Sequence, residues 1–133
     1  MKVLVPLHGF TDWNGGIDLI RLLIRILEDD SAQLNFDLYF TFPKRTLLQK
    51  IWRAADSFIV NLMTGRITNP LYLWKKWQQL DQIGIELLSN RNIQFCGTST
   101  KSIQTMANEI KADIVFPLLK PLPHKSVPSI GYI

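Results

Sequence analysis

The sequence predicts an α/β domain: a three-layer sandwich built on a mostly parallel sheet of about five strands. Three observations lead there. Short apolar runs bounded by turn residues alternate with helical periodicities along the chain. The connections have the length of right-handed crossovers between parallel strands. The first run, KVLVPL at 2–7, is apolar on both faces, as a strand covered on two sides has to be.

The elements follow in order. After the strand at 2–7 comes a loop, 8–16 (HGFTDWNGG), and then a helix at 17–28. Asp18, Arg21, Arg25 and Glu28 step by three, four and three, so they share one stripe of a helix whose other faces are Ile and Leu. Negative charge is unfavourable at a helix C-terminus, so Glu28-Asp29-Asp30 is read as the start of a solvated loop. Residues 35–42 alternate Phe36, Leu38, Phe40 and Phe42 with Asp37, Tyr39 and Thr41, which is a strand. Pro43 suits the first turn of a helix. An amphipathic helix is expected over 44–64, stopped by Gly65, and another over 71–88 with Leu73, Trp77, Leu80, Gly84 and Leu87 on one line. A third strand is read at 92–97 and an N-cap at Thr98 to Thr100. A helix at 100–111 carries Ile103, Met106, Ala107 and Ile110, and a fourth strand follows at 113–119. A proline-rich loop, 120–127, leads to a fifth strand at 128–133.

Composition narrows the class. The 133 residues are 47% apolar and 20% charged, which excludes a disordered chain. One domain of this size buries enough surface to need no staple. Cys96 is the single cysteine, no Asn-x-Ser/Thr sequon is present, and the apolar run at the N-terminus is short for a signal peptide. These features lean towards a reducing compartment, the cytoplasm or the inner face of its membrane.

Charge is segregated. Residues 1–43 carry net −3, residues 44–77 net +6 and residues 78–133 net +1. The middle segment holds Lys44, Arg45, Lys50, Arg53, Arg66, Lys75 and Lys76 against one acid, Asp56. Trp52, Trp74 and Trp77 lie among these cations. Two readings stand: a solvated helix face with tryptophans packed in the core, or a surface for an anionic membrane or a partner. Nucleic-acid binding is not expected, because no motif for it is present.

Ligands of open parallel sheets bind beyond the carboxyl ends of the strands. The loop after the first strand therefore draws attention. Gly15 and Gly16 would let backbone approach a ligand, and the helix behind them offers free N–H groups and a positive dipole end. A phosphate or sugar hydroxyls fit that setting, and a tight turn alone would use the same glycines. His8, at the end of the first strand, faces the expected cleft. Asp12 is a base or hydroxyl ligand, or a local cap. His124 reads as solvated and Cys96 as packed. The glycine spacing is not that of a nicotinamide fingerprint, and no Gly-Lys-Ser/Thr P-loop is present. No cofactor and no metal is expected.

Several motifs together carry a resemblance. The first strand ends Pro6-Leu7, its loop closes with Gly15-Gly16, and a Leu/Ile-rich helix follows. Later come Ala112-Asp113-Ile114-Val115-Phe116-Pro117 and then Pro128-Ser129-Ile130-Gly131-Tyr132-Ile133. The whole resembles the Rossmann-like N-terminal domain of GT-B glycosyltransferases, especially the family 4-like retaining enzymes, with the two ends matching best. The resemblance implies transfer of a sugar from a nucleotide-sugar donor to an acceptor hydroxyl. It implies that Gly15 and Gly16, with Asn14 beside them, face the donor phosphates and the acceptor, and that no metal is required. The donor pocket with its paired glutamates has no counterpart here, and catalytic residues of the N-terminal domain would follow Ile133. On this reading the chain is the acceptor-side half of a longer, two-domain enzyme, inactive alone. The rival reading is a non-catalytic α/β module that docks through residues 44–77.

Overall fold

The computed structural model describes residues 1–12, 14–118, 120, 122, 123 and 127–131, with the backbone alone for Asn14, Ser31, Ala32 and Leu34. Ten elements follow one another: β1 (Lys2–Pro6), a 3-10 turn (Phe10–Asp12), α1 (Asn14–Leu34), β2 (Asp37–Pro43), α2 (Leu47–Met63), α3 (Pro70–Leu87), β3 (Ile93–Cys96), α4 (Thr100–Ile110), β4 (Ile114–Leu118) and β5 (Ser129–Gly131). All strand pairs are parallel, in the order β3-β2-β1-β4-β5. The predicted α/β class and its Rossmann-like layering are what the chain adopts. His124 and the last residues assigned to the fifth strand, Tyr132 and Ile133, lie outside the described residues.

Strand alternation separates the two cores. Val3 and Val5 of β1 point to one face and pack with Ile20 and Ile24 of α1, Phe40 and Phe42 of β2. Leu4 points to the other, with Ile103 and Ala107 of α4 and Val115 of β4. A period of two on a strand buried from both sides accounts for this division. The buried line of α3 is Leu73, Leu80 and Gly84, within the predicted stripe.

Two boundaries differ from expectation. α1 starts at Asn14 and runs through Glu28-Asp29-Asp30 to Leu34. The acids stand more than a turn from the end at Leu34, where the dipole effect has faded. Glu28 is held by Arg91 beyond α3, whose Nη2 donates to Oε2 at 3.0 Å; this bond keeps the Glu28 carboxyl below its usual range. Asn35, at φ 57°, takes the left-handed conformation that ends the helix. Second, Pro43 closes β2 and does not open α2. The Lys44 N–H donates to Cys96 O at 2.7 Å, so the ladder outlasts the strand. The helix waits for a capping box in which Thr46 and Gln49 bond each other's backbone N–H. The cap of α4 is the Ser99 hydroxyl, inside the 98–100 window read from sequence.

The largest surprise is α2. Its main packing partner is α3, not the sheet, and only Ala54 on it is fully buried. Trp52 is 66% exposed, which overturns core packing for that tryptophan. Trp74 and Trp77 are half-buried.

Candidate functional site: a cleft at the carboxyl edge of the sheet

The chain leaves β1 for β2 and β3 on one side, then returns to place β4 on the other. The switch point is thus the gap between β1 and β4 at their carboxyl ends, where open α/β sheets receive ligands. A cavity of about 310 Å³ lies there. Four strand ends supply its walls: Pro6 with His8 and Gly9 after β1, Pro43 and Arg45 after β2, Thr98 and Thr100 after β3, and Leu118 with Lys120 after β4. Gly9 has φ 82°, a left-handed conformation that only glycine adopts without strain.

His8 ties two of these loops together. Its Nε2 lies 2.7 Å from Gly97 O and 3.6 Å from Cys96 Sγ. A carbonyl only accepts, so Nε2 carries the hydrogen and Nδ1 keeps its lone pair. That Nδ1 is buried, with no hydrogen-bond partner among the described residues. Burial pulls the imidazole pKa down, against the pull of the Gly97 bond. A neutral ring with a shielded Nδ1 is suited to holding the loop after β1 against the end of β3. Burial likewise pushes the Cys96 thiol up, which leaves it protonated and unreactive.

Charge enters through a four-membered network. Arg45 donates to Asp12 Oδ1 at 2.9 Å and to Asp81 Oδ1 at 3.2 Å. Arg53 of α2 donates to the same two oxygens. Asp12 therefore serves as the acceptor that joins the 3-10 turn to α2, rather than as a local cap. Within the wall of the cavity the ammonium of Lys120 has no carboxylate partner among the described residues. The hydroxyls of Thr98 and Thr100 stand at the N-terminus of α4, where the Ser99 hydroxyl takes the Ser102 N–H and the dipole and the remaining first-turn N–H groups favour an anion. Asp12 also lines the cavity, its charge met by Arg45 and Arg53; with that acid paired, the cation, hydroxyls and helix N–H groups suit an anionic, oxygen-rich guest. Among the described residues no three His, Cys, Asp or Glu side chains gather as a metal centre would need.

The residues expected at the site divide. His8 borders the cavity. Gly15 and Gly16 form the first turn of α1, and neither is among the described lining residues. Asn14 opens that helix, and its side chain lies outside what the structure describes. Sequence reading missed Arg45, Thr98, Thr100 and Lys120 as wall residues. The signal is in the sequence: each follows a strand by two to four residues.

Fold and cavity together define a Rossmann-like α/β domain with an open cleft at its topological switch point. Comparison with known protein families, with curated proteins and with solved structures found no match to the chain.

Proposed function

We propose that this chain is the acceptor-side domain of a nucleotide-sugar-dependent glycosyltransferase, and that its cleft receives the sugar acceptor and the phosphates of the donor. The reading is carried by one observation: the cavity at the β1/β4 switch point combines Lys120, the Thr98 and Thr100 hydroxyls and the α4 N-terminus. Glycosyl transfer breaks the bond between the sugar and the diphosphate and forms one to the acceptor oxygen. Negative charge grows on the departing diphosphate. Fixed N–H dipoles and an ammonium stabilise that charge without reorganising. Hydroxyls such as those of Thr98 and Thr100 recognise the hydroxyls of a sugar. Gly15 and Gly16 lie in the first turn of α1, which follows β1 at the same edge of the sheet, and on this reading their missing side chains leave room for the donor phosphates.

The test is binding of uridine diphosphate and of inorganic pyrophosphate to the 133-residue chain, followed by amide chemical shifts. Saturable shifts at Thr98 to Thr100 are expected, with affinity about tenfold weaker in Lys120→Ala, the loss of one charge-assisted hydrogen bond. No saturable binding of either ligand removes the reading. In the full-length gene product, glycosyl transfer unchanged by Gly15→Val with Gly16→Val would take the glycine loop out of the mechanism.

A further inference from the structure

α2 is an amphipathic helix turned inside out. At 100° per residue, Leu48, Ile51, Trp52, Ile59, Leu62 and Met63 fall within about 120° of arc. All six are exposed, Leu48 at 64% and Met63 at 82%. Arg53, Ser57 and Asn61 lie on the opposite side and are partly buried. Arg53 bonds Asp12 and Asp81, and Asn61 donates to Thr68 Oγ1 at 2.9 Å. The polar face thus holds the helix to the body, and the apolar face is offered outward. The apolar surface continues round the hairpin through Ile67, 93% exposed, to Leu71 on α3. Between the two helices it dips into a groove of about 410 Å³ lined by Ile51, Phe58, Leu71 and Trp74.

Charge selects what covers this face. Arg45 and Arg53 are spent on Asp12 and Asp81. Lys44 before α2, Arg66 after it and Lys75 and Lys76 on α3 are exposed, with no carboxylate partner among the described residues. Cations therefore bound the apolar band at both ends and along its flank, against one acid, Asp56, at its edge. We infer that the α2–α3 hairpin is a membrane-docking element, which lays its apolar face into the interface of an anionic bilayer while the lysines and Arg66 meet lipid phosphates. A ridge of long aliphatic side chains with an exposed tryptophan and a cationic border matches that interface in both polarity and sign. Contact is peripheral, since no described helix is long and apolar enough to cross a membrane.

The experiment is co-sedimentation of the chain with phosphatidylcholine vesicles, with and without phosphatidylglycerol. Binding is expected to the mixed vesicles, to fall with added salt, and to weaken about tenfold or more in Trp52→Glu with Ile59→Glu, since bound affinity scales with inserted apolar area. Both side chains are exposed, so circular dichroism and the thermal midpoint should not move. Lys75→Glu with Lys76→Glu should weaken binding to the mixed vesicles only. Failure to sediment with the mixed vesicles overturns the inference, as does equal binding to neutral vesicles. A dimer in lipid-free solution that Trp52→Glu dissolves, with no vesicle binding, assigns the face to a second copy and overturns it as well. The vesicles contain no nucleotide, so each of these outcomes leaves the reading of the cleft untouched.

Discussion

The guanidinium carbon of Arg53 lies 3.8 Å from the centroid of the Trp77 ring, and the same guanidinium donates to Asp81 at 3.3 Å. One cation is thus stacked on an indole from α3 and paired with carboxylates from α3 and the 3-10 turn. Burial lowers the Arg53 pKa first, and the neighbouring Arg45 adds to that; the two aspartates oppose both. This arrangement turns the polar side of α2 towards the body. It also ties Arg45, in the wall of the cleft, to the same two acceptors.

Arg53→Leu should therefore detach α2. The change removes the stack and leaves Asp81, whose side chain is 17% exposed, with one cation instead of two. A loss of about 2 kcal/mol is expected, below the cost of orphaning a fully buried charge because Arg45 remains. Urea unfolding measures it. A loss within experimental error would mean that α2 is held by other contacts.

Gly84→Ala should destabilise the chain although alanine favours helices. A Cβ there would meet Phe42 Cε2 at 2.6 Å and Thr11 Cγ2 at 3.3 Å. Phe42 is buried and cannot swing away freely. Overpacking of this kind costs about 1–3 kcal/mol, and helix propensity returns up to about 1 kcal/mol. In a Phe42→Leu background the penalty of Gly84→Ala should shrink, and a double-mutant cycle reads the difference.

His8 gives the fold an acid-side weakness. Its pKa is lowered by folding, chiefly by burial, so the unfolded chain takes the proton first. Its neutral form contributes stability that is complete above the ordinary imidazole value of about 6.5. That stability falls away as pH drops through this value towards the lower folded one. His8→Gln keeps a donor for Gly97 O and removes the titration. Its stability, followed by denaturant unfolding between neutral and mildly acid pH, should fall less than that of the native chain. Parallel curves would show that His8 does not titrate on unfolding.

The fold was legible because its signals are local. Val3, Leu4 and Val5 announce a strand buried on both sides, and Leu73, Leu80 and Gly84 mark the inner line of α3 within twelve residues. The end of α1 was less legible. Glu28-Asp29-Asp30 reads as a stop because the triplet is acidic, while the helix runs on to Leu34 and the partner of Glu28, Arg91, is far along the chain. Half of the cleft was missed for a related reason: Arg45, Thr98 and Lys120 share nothing in sequence except a place after a strand.

Sequence by itself determined that the chain is an α/β domain, that a parallel sheet runs through its middle, and that cations and tryptophans crowd residues 44–77. Periodicity and composition are properties of neighbouring residues, and they survive without knowledge of the rest. Only the tertiary structure decided which side of α2 faces water. A hydrophobic stripe normally points inward, but here two aspartates from distant elements meet two arginines, and satisfying four partly buried charges outweighed hiding one row of aliphatic side chains. That choice depends on residues brought together across the fold, so no window of sequence contains it.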